Sequence, residues 1–149
     1  MAVLNISWVV PPGRMPEGRV QYVQQLTPEV IWKEQFVNHA NGVTGLAAVY
    51  VVADDVAAAA ARWARFSGLL PRSEGELVRL QAARGRVLIG KKERLFEGTP
   101  SKLFEGVPAA PSLAGYALTC RHPKAFAARC SRMGLAVRKT AAGHAKIGV

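Results

Sequence analysis

The sequence is poor in several things, and each shortage removes a class of protein. Two cysteines occur in 149 residues, Cys120 and Cys130, and they are not spaced as C-x-x-C. Neither a disulfide scaffold nor a cysteine-rich zinc module is encoded. Both read as buried thiols in a reducing, cytoplasmic setting. No stretch of about 18 apolar residues runs without a charge, because the segment from Val43 to Ala61 is broken by Asp54 and Asp55. A transmembrane helix is therefore not expected. The N-terminus lacks a basic stretch followed by an apolar core and a small-residue cleavage site, so no signal peptide is expected. Gly-x-Ser-x-Gly elbows, phosphate-binding loops and dinucleotide fingerprints are missing as well. Three histidines, His39, His122 and His144, stand too far apart in sequence to form a local metal motif. Acidic residues are absent from Gly106 onward, where seven Lys and Arg remain.

What is present is organised around residues 44 to 70. An apolar, β-branched run over Leu46–Ala53 predicts a strand. Asp54 or Asp55 then supplies an acceptor for the first-turn N–H groups of a helix and complements its dipole. Val56 to Phe66 favours helix, with Arg62 and Arg65 toward the negative end, and Gly68 ends it.

The same unit occurs again 67 residues later. Leu113–Cys120 reads as a strand, Pro123 suits the first helical position, and Ala60-Ala-Arg-Trp-Ala-Arg-Phe-Ser-Gly68 corresponds to Ala127-Ala-Arg-Cys-Ser-Arg-Met-Gly134 with one residue deleted. A period of this length predicts two packed βα-started modules and not a solenoid.

In chain order, residues 1 to 10 and Arg19–Leu26 predict two strands joined by a proline-rich loop. Asn38–Gly42 is a turn. Gly75–Ala83 and Gly85–Gly90 form a second predicted hairpin about Arg84-Gly85. A linker follows, with an eight-residue echo of Arg94-Leu-Phe-Glu-Gly-Thr-Pro100 in Lys102-Leu-Phe-Glu-Gly-Val-Pro108. Ala136–Lys139 and His144–Val149 predict the last strands. The expected division is 1–37 as strands closing a preceding module, with exchange between chains open to them; 38–93 as a first βαββ module; 94–111 as linker; and 112–149 as a second, shorter one.

The Asp55-Val56 turn, the alanine-rich helix with Arg62-Trp63, Gly68 thirteen residues after Asp55 and the echo over Leu113–Leu135 resemble the vicinal oxygen chelate superfamily. This is the glyoxalase and bleomycin-resistance group, and its glyoxalase-like branch is the nearer likeness. Arg19 to Trp32 followed by His39-Ala-Asn-Gly42 is similar to a junction between two modules there. The resemblance implies an α+β fold of duplicated βαβββ-type modules, with mixed, mostly antiparallel curled sheets and helices outside. In metal-binding members, His, Gln or Glu from first and last strands hold a divalent ion that polarises vicinal oxygens. The first-strand ligand lies seven residues before the turn Asp, which here is Ala48 and, in the second copy, Gly115. No cofactor is predicted on that count, and a divalent metal stays an alternative.

A pocket is expected on the sheet face away from the helices. Strict alternation would put Leu46, Ala48, Tyr50 and Val52 on that face, with Leu113, Gly115, Ala117 and Thr119 beside them. Gln25 and His39 are the nearest polar candidates, and Tyr116, Trp63 and Trp32 the other aromatic ones. Such a lining suits a small apolar or aromatic molecule. The expected function is a glyoxalase-like small-molecule-binding protein, related to lyases, isomerases and dioxygenases, without the usual metal ligands. The alternatives are a metal-dependent enzyme of that superfamily with displaced ligands, and a basic interaction or nucleic-acid-binding protein. A net charge of +10 favours the last, but the cations lie singly, without interleaved aromatics, and read as a solvated face. Unpaired sheet edges predict a homodimer.

Overall fold

The computed structural model describes residues 4–7, 14–98, 105–135, 137–139 and 145–148. The prolines at 11 and 12, residues 102–104 of the second Leu-Phe-Glu-Gly repeat and His144 lie outside them. The protein is α+β. Strands β1 (Leu4–Ser7) and β2 (Tyr22–Gln25) pair antiparallel as a small separate sheet. Two single-turn helices follow, α1 (Pro28–Ile31) and α2 (Glu34–Val37). The long strand β3 (Val43–Val52) leads into helix α3 (Val56–Ser67), then β4 (Pro71–Glu74), β5 (Leu77–Ala82) and β6 (Gly85–Gly90). After the one-turn helix α4 (Lys92–Leu95) come β7 (Ser112–Cys120), helix α5 (Pro123–Arg132), β8 (Val137–Lys139) and β9 (Ala145–Gly148).

Seven of these strands form one open sheet among the described residues, ordered β4-β5-β6-β3-β7-β9-β8. Pairing is antiparallel throughout except that β3 runs parallel to β6, Ala48 opposite Arg86 through Val52 opposite Gly90. A parallel pair needs a crossover, and α3 with the β4–β5 hairpin provides it. The stretch from β3 to β6 is thus βαβββ; the four-residue β4, fully exposed and begun by Pro71, is a strand that alternation did not announce.

Helix α3 starts and stops as its sequence dictates. Asp55 is the N-cap, its Oδ1 accepting from Ala58 N at 2.9 Å, and Gly68 closes the helix in the left-handed region at φ 70°. That conformation would strain a residue bearing a Cβ. The helix buries Ala59, Ala60 and Trp63 against Val51, Ala53, Leu80 and Ile89. Helix α5 begins at Pro123 and buries Phe126 and Cys130, against which Val43, Leu118, Cys120 and Val137 pack. Both helices therefore lie on one side of the sheet.

The opposite side is not open. Ala48, Tyr50, Val52, Leu88, Ala114 and Ala117 of the sheet meet Leu95, Phe96 and Val107 there. The segment expected to be a linker is a cover, with Leu95 and Phe96 of its first repeat buried. Gly90 gives the cover room: a Cβ there would press on the end of the Leu77 side chain and sit 3.3 Å from Leu95.

Leu80, inaccessible to solvent beneath α3, tests this packing. Leu80→Ala is expected to lower the unfolding free energy by about 3 kcal/mol, the usual scale for a buried leucine cavity. Urea denaturation should show an earlier midpoint with an unchanged slope. Asp55→Ala should cost about 1 kcal/mol through loss of the cap.

Candidate functional site

The site expected from the sequence is the non-helical face of β3 and β7. Tyr50 lies on that face, away from α3: its neighbour Val51 packs under α3, while Ala48 and Val52 share the surroundings of Tyr50. The ring of Tyr50 stands 5.7 Å from that of Phe96, tilted by 53°. Tyr50 is 3% exposed, so the expected pocket lining is an interior packed against α4. Holding that cover, Lys92 Nζ donates to the carbonyl of Val107 at 2.7 Å.

Strict alternation fails at three places along the β3–β7 ladder, one of them between Val43 and Gly45, and β-bulges are the reason; two of the three move expected residues. Leu46 pairs with Leu118 and Ala48 with Ala117, leaving Ala47 as an extra residue. Each such insertion reverses which face the preceding residues occupy. Leu46 therefore shares the side of Leu118, toward α5, and is 48% exposed. A second shift lies between Tyr50 opposite Gly115 and Val51 opposite Leu113. It brings Ala114 into the Tyr50 cluster and sends Leu113 to the helical side, against Gly18. Gly115, Ala117 and Thr119 keep the expected side; Thr119 Oγ1 is 3.0 Å from Thr44 Oγ1 and donates to the carbonyl of Gly45 at 3.2 Å.

The remaining candidates are elsewhere. Tyr116 pairs with Val49, on the face opposite Tyr50. Gln25 lies on β2, where its Oε1 accepts from Trp32 Nε1 at 2.6 Å. The Trp32 ring is in turn covered by the Arg84 guanidinium at 5.5 Å. His39 is exposed in the turn before β3, where its carbonyl accepts from Gly42 N. The structure brings Ala48, Tyr50 and Val52 together and gives Gln25, His39 and Tyr116 other surroundings.

A divalent ion does not fit these positions. Ala48 and Gly115 carry no donor atom, and the side chains around them are aliphatic or aromatic. Among the described residues, no three His, Cys, Asp or Glu side chains gather as a metal-binding group. An open depression of about 480 Å³ lies on α2, lined by Lys33, Glu34, Gln35 and Asn38. At the α5 end, burial pushes the Cys120 thiol above the ordinary thiol range, and the neighbouring Cys130 adds to the shift.

One polar feature had no sequence signal. Glu17, in a Pro-Glu-Gly turn, is 3% exposed and forms an ion pair with Arg62 of α3. Its carbonyl also accepts from Leu113 N at 2.8 Å. One residue thus ties the N-terminal segment to both a helix and a central strand, while Met15 and Val20 add apolar contacts under α3. Nothing about an acid between a proline and a glycine forecasts burial.

No family model, curated protein or solved structure matches the chain.

The Glu17–Arg62 pair carries a stability expectation. Arg62→Leu leaves a buried carboxylate without its cation and should cost about 3 kcal/mol. Glu17→Gln combined with Arg62→Leu should recover most of that loss. Urea titrations of the two variants make the comparison, and a cost below about 1 kcal/mol for Arg62→Leu would mean the pair does not hold the segment down.

Proposed function

We propose that this chain is a glyoxalase-like small-molecule-binding protein of vicinal oxygen chelate type, without the usual metal centre. The observation that carries the reading is the β3-α3-β4-β5-β6 run. It is a βαβββ unit whose first strand abuts a second long strand, β7, that is itself followed by a helix. Ala48 and Gly115 stand where the superfamily resemblance calls for first-strand metal ligands, and with one phenol, Tyr50, beside them they favour binding over Lewis-acid catalysis.

The ligand class follows from the lining. Tyr50, Val52, Leu88 and Ala117 offer an apolar surface with a single hydroxyl, which suits an aromatic or apolar molecule of few atoms. Entry requires α4 to move aside, with the ligand taking the place of the Phe96 ring against Tyr50. A helix of one turn is the part of the fold best suited to that, since it has few internal hydrogen bonds to hold it.

The same reading includes a homodimer in a cytoplasmic setting. Strands β4 and β8 stand at the edges of the described sheet, and Val23, Leu26, Trp32, Phe36 and Val37 of the N-terminal segment are exposed apolar side chains. Both kinds of surface favour a partner.

A thermal-shift screen of aromatic and apolar compounds tests the proposal. A true ligand should raise the melting temperature of the wild-type protein and slow amide exchange in β3 and α4. Tyr50→Leu should weaken it about tenfold, the equivalent of roughly 1.4 kcal/mol. Protection confined to residues 33–38 would move the site to the α2 depression and overturn the assignment.

A further inference from the structure

Charge is distributed unevenly over this fold. Arg62, Arg79 and Arg94 engage Glu17, Glu74, Glu76 and Glu97, all before residue 98. The chain from Gly106 onward has seven Lys and Arg and no acid. Helix α5 gathers three of these cations: Lys124, Arg129 and Arg132 are exposed, while Phe126 and Cys130 turn to the sheet. Among the described residues, none forms an ion pair with those three. Arg121, just before the helix, is bonded to Asn38 Oδ1, a neutral acceptor one turn from Glu34, so it stands at the rim.

We infer that the exposed face of α5 is a docking surface for duplex nucleic acid, contacting the phosphate backbone without reading sequence. Three features of the face choose this occupant. Lys124 and Arg132 are eight residues apart, about 12 Å along a helix axis, enough to meet successive phosphates of one strand. Between the cations the exposed side chains are Ala125, Ala128 and Ser131; they let a sugar–phosphate chain approach closely and offer almost nothing to a base edge. No aromatic side chain shares the face, so the stacking platform that single strands require is missing. An anionic bilayer fits less well. An interfacial helix must lay its apolar face in lipid, and that of α5 is already buried in the protein core. The exposed Met133 and Leu135 lie beyond the helix end.

Three phosphate contacts imply a definite salt dependence. The logarithm of affinity should fall against the logarithm of salt concentration with a slope near −2.7 from these residues, about 40-fold between 50 and 200 mM.

Fluorescence anisotropy with a labelled mixed-sequence duplex tests the inference on the full chain. The triple variant K124A/R129A/R132A keeps helix-favouring residues at exposed positions, so it should fold, as a melting curve will verify. It is expected to lose at least tenfold in affinity at 50 mM salt and to flatten the slope by about 2.7. A control of equal charge change elsewhere, R65A/R72A/K91A, should leave both nearly unchanged. Shuffling the duplex sequence should not matter. Equal losses in the two triples would reduce the effect to net charge and overturn the inference. So would an absence of duplex binding at 50 mM salt, or α5-dependent binding to phosphatidylserine vesicles with none to the duplex.

Discussion

The fold depends on the second half of one long strand, Ala48–Val52, being covered on both faces. Over that half, β3 lies between parallel β6 and antiparallel β7, which satisfies its backbone on both edges. Its alternation then divides two interiors. Val51 and Ala53 go under α3 with Ala59, Ala60 and Trp63, while Tyr50 and Val52 go under α4 with Phe96 and Val107. A one-residue slip would drive the tyrosine ring into a helix face built of alanines, where the axis lies too close for it. The alanine tract of α3 is thus the counterpart of the bulky, branched strand it covers.

This arrangement explains why a face with the right phase for a cavity is closed. Small side chains at Ala48, Gly115 and Ala117 leave space, and the protein fills it from its own chain with Leu95, Phe96 and Val107. On the proposed function, a guest there would compete with α4. The N-terminal segment is held from the other side by Glu17, whose ion pair with Arg62 and backbone bond to β7 join elements far apart in sequence. Four acids of the earlier part of the chain are held in ion pairs, and none occurs from Gly106 onward, so the α5 segment has positive charge with no acid of its own.

Local rules made the α3 unit legible: an acid before alanines, a glycine after them and a β-branched run in front gave β3, α3 and the cap. The β5–β6 hairpin, the start of α5 at Pro123 and the last two strands followed from turn residues in the same way. The small elements α1, α2, α4 and β4 did not, because four-residue segments have too little periodicity to register. The phase of Ala48, Tyr50 and Val52 came from setting Ala48 at the first-strand position that the resemblance marks, since the apolar run Val49-Tyr-Val-Val52 has no alternation of its own. That of Leu46 and Leu113 was not readable, since a bulge is set by the partner strand and leaves no local mark at Ala47 or Ala114. Burial of Glu17, and the use of Leu95 and Phe96 as a cover, depend on contacts between distant segments, which no local pattern encodes.

The central claim is that β3 separates two interiors, with Tyr50 in the one beneath α4. Nuclear Overhauser contacts from the Tyr50 ring protons examine it directly. The account predicts cross-peaks to the Phe96 ring and to the methyl groups of Leu88 and Ala117. Cross-peaks to Ala59, Ala60 or Trp63 would instead place the tyrosine beneath α3 and contradict it.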